Sequence, residues 1–399
     1  MEFGEFNTKT NKILIGQVIS AALSFVAIAI LARYCGPSIF GYCTIAILIL
    51  SVVLDLIDFG GVSWSARELA AGRISTNQYL QVARSSFRNI NLILILLPIW
   101  LINSPVDGKI VVLLSLYPAL WNQTNYIQQF LVVKNEVNFA IKLQVSERIT
   151  WLTAIPMSLQ GCNRYATFVL PILLGLMLHV GIGSLKLKKI NAIKAENKIA
   201  RVTVYKKSFH FGITSIFSDI GNLDTFLIAK FVSLSESGSY ALVTRLRNPL
   251  TLIFQAISIK QRPVLARKIK HEIHETLIED SKLYFVGITC ILGVALGFLL
   301  FANAIFGNQY KNLNLIMFVG IISQIPVGIS IVLTNILNSI GAEKFVSITT
   351  FIAIPLTLFI VAFMGLEFGI ISVCWTVLVI NLIIMLVNFR KVKLIFDSF

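Results

Sequence analysis

The chain has 399 residues, 56% of them hydrophobic and 13% charged, with a mean hydropathy of +0.81. Water-soluble domains carry about a quarter charged residues, so that class is excluded. The formal net charge of +15 sits in short connectors and not in an aromatic-interleaved basic domain, which excludes nucleic-acid binding.

Apolar runs follow one another at 13–32, 39–62, 88–102, 110–133, 143–160, 165–185, 208–232, 238–258, 283–303, 313–335, 345–364 and 369–389. As a helix, a run of about 20 residues matches a hydrocarbon core of about 30 Å. The sequence therefore predicts an all-α, polytopic membrane protein with about twelve transmembrane helices. The first run is longer than a secretory h-region and is followed by the charged RYCGP, so it reads as a span and not as a cleaved signal. The leading MEFGEF is unlike the rest and carries no weight here. Connectors and tails on the N-terminal side hold 26 Lys and Arg, against four on the opposite side. By the positive-inside rule both termini are expected in the cytoplasm.

Two connectors on the basic side look amphipathic. In Ser65–Arg88, Ala66, Leu69, Ile74, Leu80 and Phe87 alternate with Arg67, Arg73, Arg84 and Arg88; Lys260–Lys282 repeats the theme. Such segments are expected to lie in the membrane interface. The halves of the chain also resemble each other. Ala32-Arg33-Tyr34 with Gly41 lies 197 residues before Ala229-Lys230-Phe231 with Gly238. Each half reads as two spans, an amphipathic connector and four more spans, a parallel six-plus-six repeat. The expected division is an N-terminal lobe with its basic linker over 1–200 and a C-terminal lobe over 201–399.

Charged and amide residues inside spans carry the chemistry, because a bare charge in hydrocarbon costs several kcal/mol. Asp224 near the end of the seventh span and Arg245 near the start of the eighth fall at matching depth, and are expected to pair or to face one wet cavity. Arg247, two residues on, points elsewhere. Asp219 lies deeper on the seventh span. Asp58, with Asp55 one turn earlier, sits at the basic end of the second span, where snorkelling or pairing with Arg67 or Arg84 is expected. The fourth span carries Asn122, Gln123, Thr124, Asn125, Gln128 and Gln129, a load that suits a cavity lining or hydrogen bonds between helices. His271 and His274 do not fit a zinc-binding HExxH pattern, and the five cysteines show no metal or disulfide spacing. No cofactor is expected. There is no phosphate-binding P-loop, and no outward loop is large enough to hold catalytic carboxylates, so an enzyme is disfavoured.

ILARYCGPSIFGYCTIAIL, LDTFLIAKFVSLSESGSYALVTRLRNPL, FGNQY at Phe306–Tyr310 and NSIGAEKFVSI at Asn338–Ile348 resemble the bacterial O-antigen (Wzx-type) flippases. These belong to the multidrug/oligosaccharidyl-lipid/polysaccharide (MOP) exporter superfamily. The resemblance spans essentially the whole chain. It implies a MATE-like fold of two six-helix lobes around a cationic cavity, in the bacterial inner membrane. It also implies an undecaprenyl-pyrophosphate-linked oligosaccharide as substrate, flipped from the cytoplasmic to the periplasmic leaflet. On that reading Arg245, Arg247, Asn122, Gln123, Asn125 and Gln128 are candidate substrate-binding residues, and Asp224, Asp219 and Asp58 are candidates for ion pairing or for coupling to a proton or Na⁺ gradient. Membrane lipids and the polymerase of the same pathway are the expected partners. The peptidoglycan-precursor branch has charged residues midway along its first span, where this chain has Ala27 and Ile28. A multidrug cation antiporter is the alternative, followed by a membrane polysaccharide polymerase or ligase.

Overall fold

A computed structural model describes residues 3–94, 108–134, 136–190, 201–246, 250–251, 254, 270–339 and 342–398. Among these residues there are helices and turns but no strand. By contacts the chain forms two compact units: Met1–Cys35 with Tyr42–Asn222, and Gly36–Gly41 with Leu223–Phe399. Six of the described helical segments are long and apolar enough to cross a membrane.

The first unit holds α1 (Phe3–Cys35), most of α2 (Pro37–Asp58), α3 (Gly61–Ala70), α4 (Thr76–Leu94), α5 (Gly108–Val133), α6 (Val137–Gly161), α7 (Arg164–Ile190) and α8 (Arg201–Gly221). Gly36, at φ 79°, closes α1, and Pro37 opens α2, the usual glycine-stop and proline-start pairing. At the other end of α2 the chain turns through Phe59 (φ 47°) and Gly60 (φ 73°) into α3. A Cβ on Gly60 would lie 2.8 Å from the backbone carbon of Phe211, so only glycine lets α8 pack against this turn. α4 begins with a capping box. The Ser75 N–H donates to Gln78 Oε1 at 2.9 Å, and the Gln78 N–H returns the bond to Ser75 Oγ at 3.3 Å.

The expected interfacial connector 65–88 is not simply laid on a membrane surface. Its apolar residues Leu69, Tyr79 and Val82, with Trp64 just before it, join Tyr126 and Phe130 of α5 in a buried cluster. The aromatic bulk explains the difference, since burying such rings between helices removes more apolar area from water than an interface can. On the polar side, Arg67 and Arg73 reach Glu68 at 2.9 and 3.4 Å, and Arg67 also lies 4.8 Å over the Phe211 ring. Burial would raise the Glu68 carboxyl, but hydrogen bonds and charge from the two guanidiniums outweigh it and hold the group below the usual carboxylate range.

The second unit contains α9 (Asp224–Phe231), helical residues 234–246, α10 (Lys270–Phe306), α11 (Leu313–Ile322), α12 (Gln324–Ser339) and α13 (Glu343–Ser398). The seventh expected span, 208–232, is broken: α8 ends at Gly221 and α9 begins at Asp224. Gly221-Asn222 is a helix-stopping pair, and it was read through because the apolar residues on either side are continuous. The last two expected spans run together as α13, divided by a non-helical Gly369 (φ 75°, ψ −172°). α10 carries the tail of the second amphipathic connector straight into the ninth expected span; the rest of that connector, like most of the third span, lies outside the described residues.

The 197-residue repeat has a physical counterpart inside the second unit. A Cβ on Gly41 would meet the Leu234 carbonyl oxygen at 2.7 Å, and one on Gly238 would collide with the Pro37 carbonyl. Leu234 is Pro37 advanced by 197 positions, and Gly238 is Gly41 advanced by the same amount. The two contacts are therefore reciprocal, the signature of a local two-fold relation. Glycine is required at both because backbone meets backbone.

Candidate functional site

Asp58, the last residue of α2, organises the first unit's polar centre. It is 9% exposed. The Val62 N–H donates to its Oδ2 at 3.0 Å, which caps α3 with an acidic group at the positive end of the helix. Oδ1 accepts from Ser86 Oγ of α4 at 2.6 Å and from the Tyr126 hydroxyl of α5 at 3.0 Å. Asn122 Nδ2 donates to Ser86 Oγ at 2.9 Å, and the Tyr79 hydroxyl donates to the Tyr126 carbonyl at 2.8 Å. Burial first, and the Asp58 charge second, push the Tyr79 phenol above its ordinary pKa, so it stays a donor. One carboxylate thus ties α2, α3, α4 and α5 together. Its donors are neutral, not the Arg67 or Arg84 expected for it. Three donors in fixed positions stabilise the buried charge; Arg67 is taken up by Glu68, and Arg84 is left for other work.

Arg84, together with Arg88, opens onto a cavity. α4 is two-faced: Tyr79, Val82, Ala83, Ser86 and Ile90 are buried, while Gln81, Arg84, Ser85 and Arg88 follow the other stripe at i, i+3, i+4 and i+7. This second stripe, with Asn89, lines a cavity of about 470 Å³ whose far walls are Asp58, Tyr126 and Tyr205. Arg84 and Arg88 are exposed, and among the described residues neither makes an ion pair. Asn89 Nδ2 donates to the Tyr205 hydroxyl at 3.2 Å, which fixes α8 as the cavity's side wall. A second cavity, about 340 Å³, lies on the other side of Arg84 and is bounded by Tyr79, Gln123, Tyr126, Ser184 and Leu187. Two free cations with amides and hydroxyls around them can hold an anion that carries hydroxyl groups.

The amides expected to line a cavity divide between both roles. Asn122 is buried in the Asp58 network. Gln123 borders the second cavity while donating to the Ala83 carbonyl at 3.4 Å. Asn125 and Gln128 are half-buried and Gln129 is exposed. Among the acids, Asp55 accepts a hydrogen bond from Ser215 of α8, and Asp219 lies half-buried one turn farther along that helix. In the second unit Asp224 is 3% exposed. It accepts from the Tyr240 hydroxyl at 2.6 Å and from the Thr225 N–H at 2.7 Å. Arg245 is half-buried within helical residues 234–246; Arg247 lies outside the described residues. Sequence reasoning missed Ser86, Tyr126 and Tyr240, the hydroxyl partners of the two buried carboxylates. No signal marked them, because a serine or tyrosine at helical spacing is ordinary in an apolar helix.

No protein-family model matches the chain. A curated relative, "Probable low-salt glycan biosynthesis flippase Agl15" of Haloferax volcanii, is 22% identical over 377 residues, covering 90% of this chain and 78% of that protein. Among solved structures, the lipid II flippase MurJ in an inward closed conformation superimposes with a TM-score of 0.74 at 15% identity, over 96% of this chain and 87% of that one. An inward-facing multidrug resistance MATE transporter of the MOP superfamily gives 0.70 at 11% identity, over 95% of both chains. The chain has the same fold as these MATE and MurJ structures. That fold is all-α and polytopic, as the sequence predicts, and this chain shares it along nearly its full length. A MOP-superfamily transporter from Pyrococcus furiosus, with a TM-score of 0.64 at 12% identity over 98% of this chain and 96% of that one, is described as having a binding pocket of reversed polarity.

Proposed function

We propose that this chain is a flippase for a lipid-linked glycan. It would move an undecaprenyl-pyrophosphate-linked oligosaccharide, the precursor of a surface polysaccharide such as O-antigen, from the cytoplasmic to the periplasmic leaflet of the bacterial inner membrane. The observation that carries this reading is the 470 Å³ cavity with Arg84 and Arg88 on its wall. A pyrophosphate bearing sugars cannot enter hydrocarbon uncompensated. Two unpaired guanidiniums meet the phosphates, while Gln81, Ser85, Asn89 and Tyr205 offer donors and acceptors to the hydroxyls. By the positive-inside rule the basic connectors support a cytoplasmic position for this cavity and for both termini. Alternating access then exposes the site to either leaflet. Arg245, Arg247, Asn125 and Gln128 extend the substrate path. Asp219 and Asp224 are held as coupling groups for a proton or Na⁺ gradient, and Asp58 as the buried charge that positions the cavity wall. Distant likeness to a glycan flippase supports the substrate class.

Deletion of the gene in its host, followed by complementation, tests this. Loss of surface polysaccharide with single lipid-linked units trapped on the cytoplasmic leaflet is expected. Wild-type chain restores the polymer, and Arg84→Glu with Arg88→Glu does not. Unchanged polysaccharide with greater sensitivity to cationic drugs would instead establish the multidrug antiporter, a reading favoured by the MATE-like superposition.

A further inference from the structure

A second buried polar cluster lies away from both cavities, between α6 and α7. His179 Nδ1 lies 2.7 Å from Glu147 Oε2, and Arg148 Nη1 lies 3.2 Å from Glu147 Oε1. Glu147 and His179 are each 1% exposed. The Arg148 guanidinium stacks 3.9 Å over the Trp151 ring and is the part of the cluster that reaches the surface, at 14% side-chain exposure. Gly175 makes room for it, since a Cβ there would strike the Trp151 ring and the Glu147 carbonyl.

Proton bookkeeping leaves one position open. At 2.7 Å a proton must lie between Nδ1 and Oε2, because two bare lone pairs would repel. The arrangement that keeps Glu147 ionised and places a single proton on the ring is the neutral imidazole with Nδ1–H. Its other nitrogen, Nε2, is buried and meets no hydrogen-bond partner among the described residues. In hydrocarbon a bare imidazole nitrogen beside a carboxylate is a base waiting for a proton.

We propose that Glu147 and His179 form a proton-binding site within the α6–α7 hairpin. The proton enters at His179 Nε2 and makes an imidazolium, whose charge the Glu147 carboxylate stabilises through Nδ1–H. No covalent bond to a heavy atom is made or broken. In the packed arrangement Nε2 is shut off from water, so the proton is taken up when the hairpin loosens. The hairpin is built to loosen: α6 carries Pro156 and α7 carries Pro171, both between the pair and the connecting turn at Cys162-Asn163. Each proline removes an intrahelical hydrogen bond, so tilting the segments at these points breaks less.

The surrounding charges are few. Among the described residues Arg148 is the one ionic group in contact with the pair. α7 and α6 also pack on α1 and α5. From α1, Arg33 and Tyr34 sit at the turn end, where Arg164 lies 6.0 Å over the Tyr34 ring. From α5, Tyr126 is committed to Asp58, and Tyr117 stacks on Trp121 at 5.9 Å. Lys186 and Glu136 pair with each other at 3.1 Å toward the opposite end. Within the cluster His179 therefore faces the Glu147 carboxylate and, through it, the Arg148 guanidinium.

The test is a nitrogen NMR titration of ¹⁵N-histidine-labelled full-length protein in lipid nanodiscs, from about pH 8 to about pH 5. Replacing His210, His271 and His274 by Gln leaves His179 as the single histidine. The expected result is a neutral Nδ1–H tautomer at high pH that gains a proton at Nε2 on acidification. Glu147→Gln should lower the midpoint by at least about one unit, a tenfold loss of proton affinity. Arg148→Gln should raise it, and this variant keeps the test alive if Glu147→Gln does not fold. A His179 that stays neutral across the range, or a midpoint indifferent to both substitutions, overturns the proposal. This titration is independent of the glycolipid reading, so either can fail alone.

Discussion

Ser86→Ala is the sharpest probe of the polar centre in the first unit. The Ser86 hydroxyl both donates to Asp58 at 2.6 Å and accepts from Asn122 at 2.9 Å, and all three residues are buried. Removing it costs two different things. Asp58 loses a charge-assisted hydrogen bond, worth about 1.5–3 kcal/mol. The Asn122 amide is left without an acceptor, a desolvation penalty of about 1–3 kcal/mol. The sum, about 2.5–6 kcal/mol, corresponds to roughly 5–24 °C of melting temperature for a unit of 150–250 residues. The Asp58 carboxylate keeps Tyr126 and the Val62 N–H, so the unit loosens without falling apart.

The two contributions separate in a double-mutant cycle. Asn122→Leu in the Ser86→Ala background removes the stranded amide, so the double variant should melt higher than the sum of the single losses predicts, by an amount equivalent to about 1–3 kcal/mol. The assay is thermal unfolding of the detergent-solubilised protein, followed by size-exclusion fluorescence. Gln129→Ala, exposed on the same helix as Asn122, serves as the control. If Ser86→Ala melts with that control, or if the two losses simply add, Asp58 is not the hub described here.

Three further outcomes follow from the packing and charges. Gly41→Ala and Gly238→Ala each force a methyl into backbone across the repeat-related contact and should cost at least about 1–3 kcal/mol apiece, whereas Gly293→Ala, with nothing within 4 Å, should be neutral or stabilising; equal melting temperatures would dissolve the contact. Tyr240→Phe removes the hydroxyl that donates to buried Asp224 and should destabilise the second unit by about 1.5–3 kcal/mol, read as earlier proteolysis within residues 223–399 on heating; an unchanged cleavage temperature refutes it. Glu68, held below its ordinary pKa by Arg67 and Arg73, contributes stability that is present above about pH 4.3 and is lost as the pH falls below it and the carboxylate takes a proton, so the gap in melting temperature between wild type and Glu68→Gln should hold from neutral pH to about pH 5 and close only below about pH 4; a gap that stays constant down to about pH 3 argues against the ion pairs.

What could be read from sequence follows the length scale of each force. Span lengths and basic connectors respond to bilayer thickness and surface charge, properties of whole segments, so the all-helical polytopic fold is legible without knowing any contact. Even the 197-residue offset, marked by little more than Gly41 and Gly238, is legible, because a backbone–backbone contact tolerates one residue type at each site. Breaks inside spans are not: Gly221-Asn222 and Gly369 interrupt helices whose flanking hydropathy never drops. The polar centre is less legible still. Asp58 and Asp224 stand out because a carboxylate in an apolar run is costly, but the reasoning then supplies the partner that electrostatics makes obvious, an arginine. At Asp58 the folded chain uses Ser86 and Tyr126 instead, side chains that cost little to bury and so leave no trace in a hydropathy pattern. Neutral donors satisfy a buried carboxylate without requiring a second buried charge, whose desolvation often exceeds the Coulombic gain. Released from Asp58, Arg84 stays at the cavity wall, where its charge is free to meet an anion from outside the chain. The same economy is absent at Glu147, which holds both a histidine and an arginine in a buried place, and that excess of ionisable groups is why the α6–α7 hairpin calls for a proton and not merely for packing.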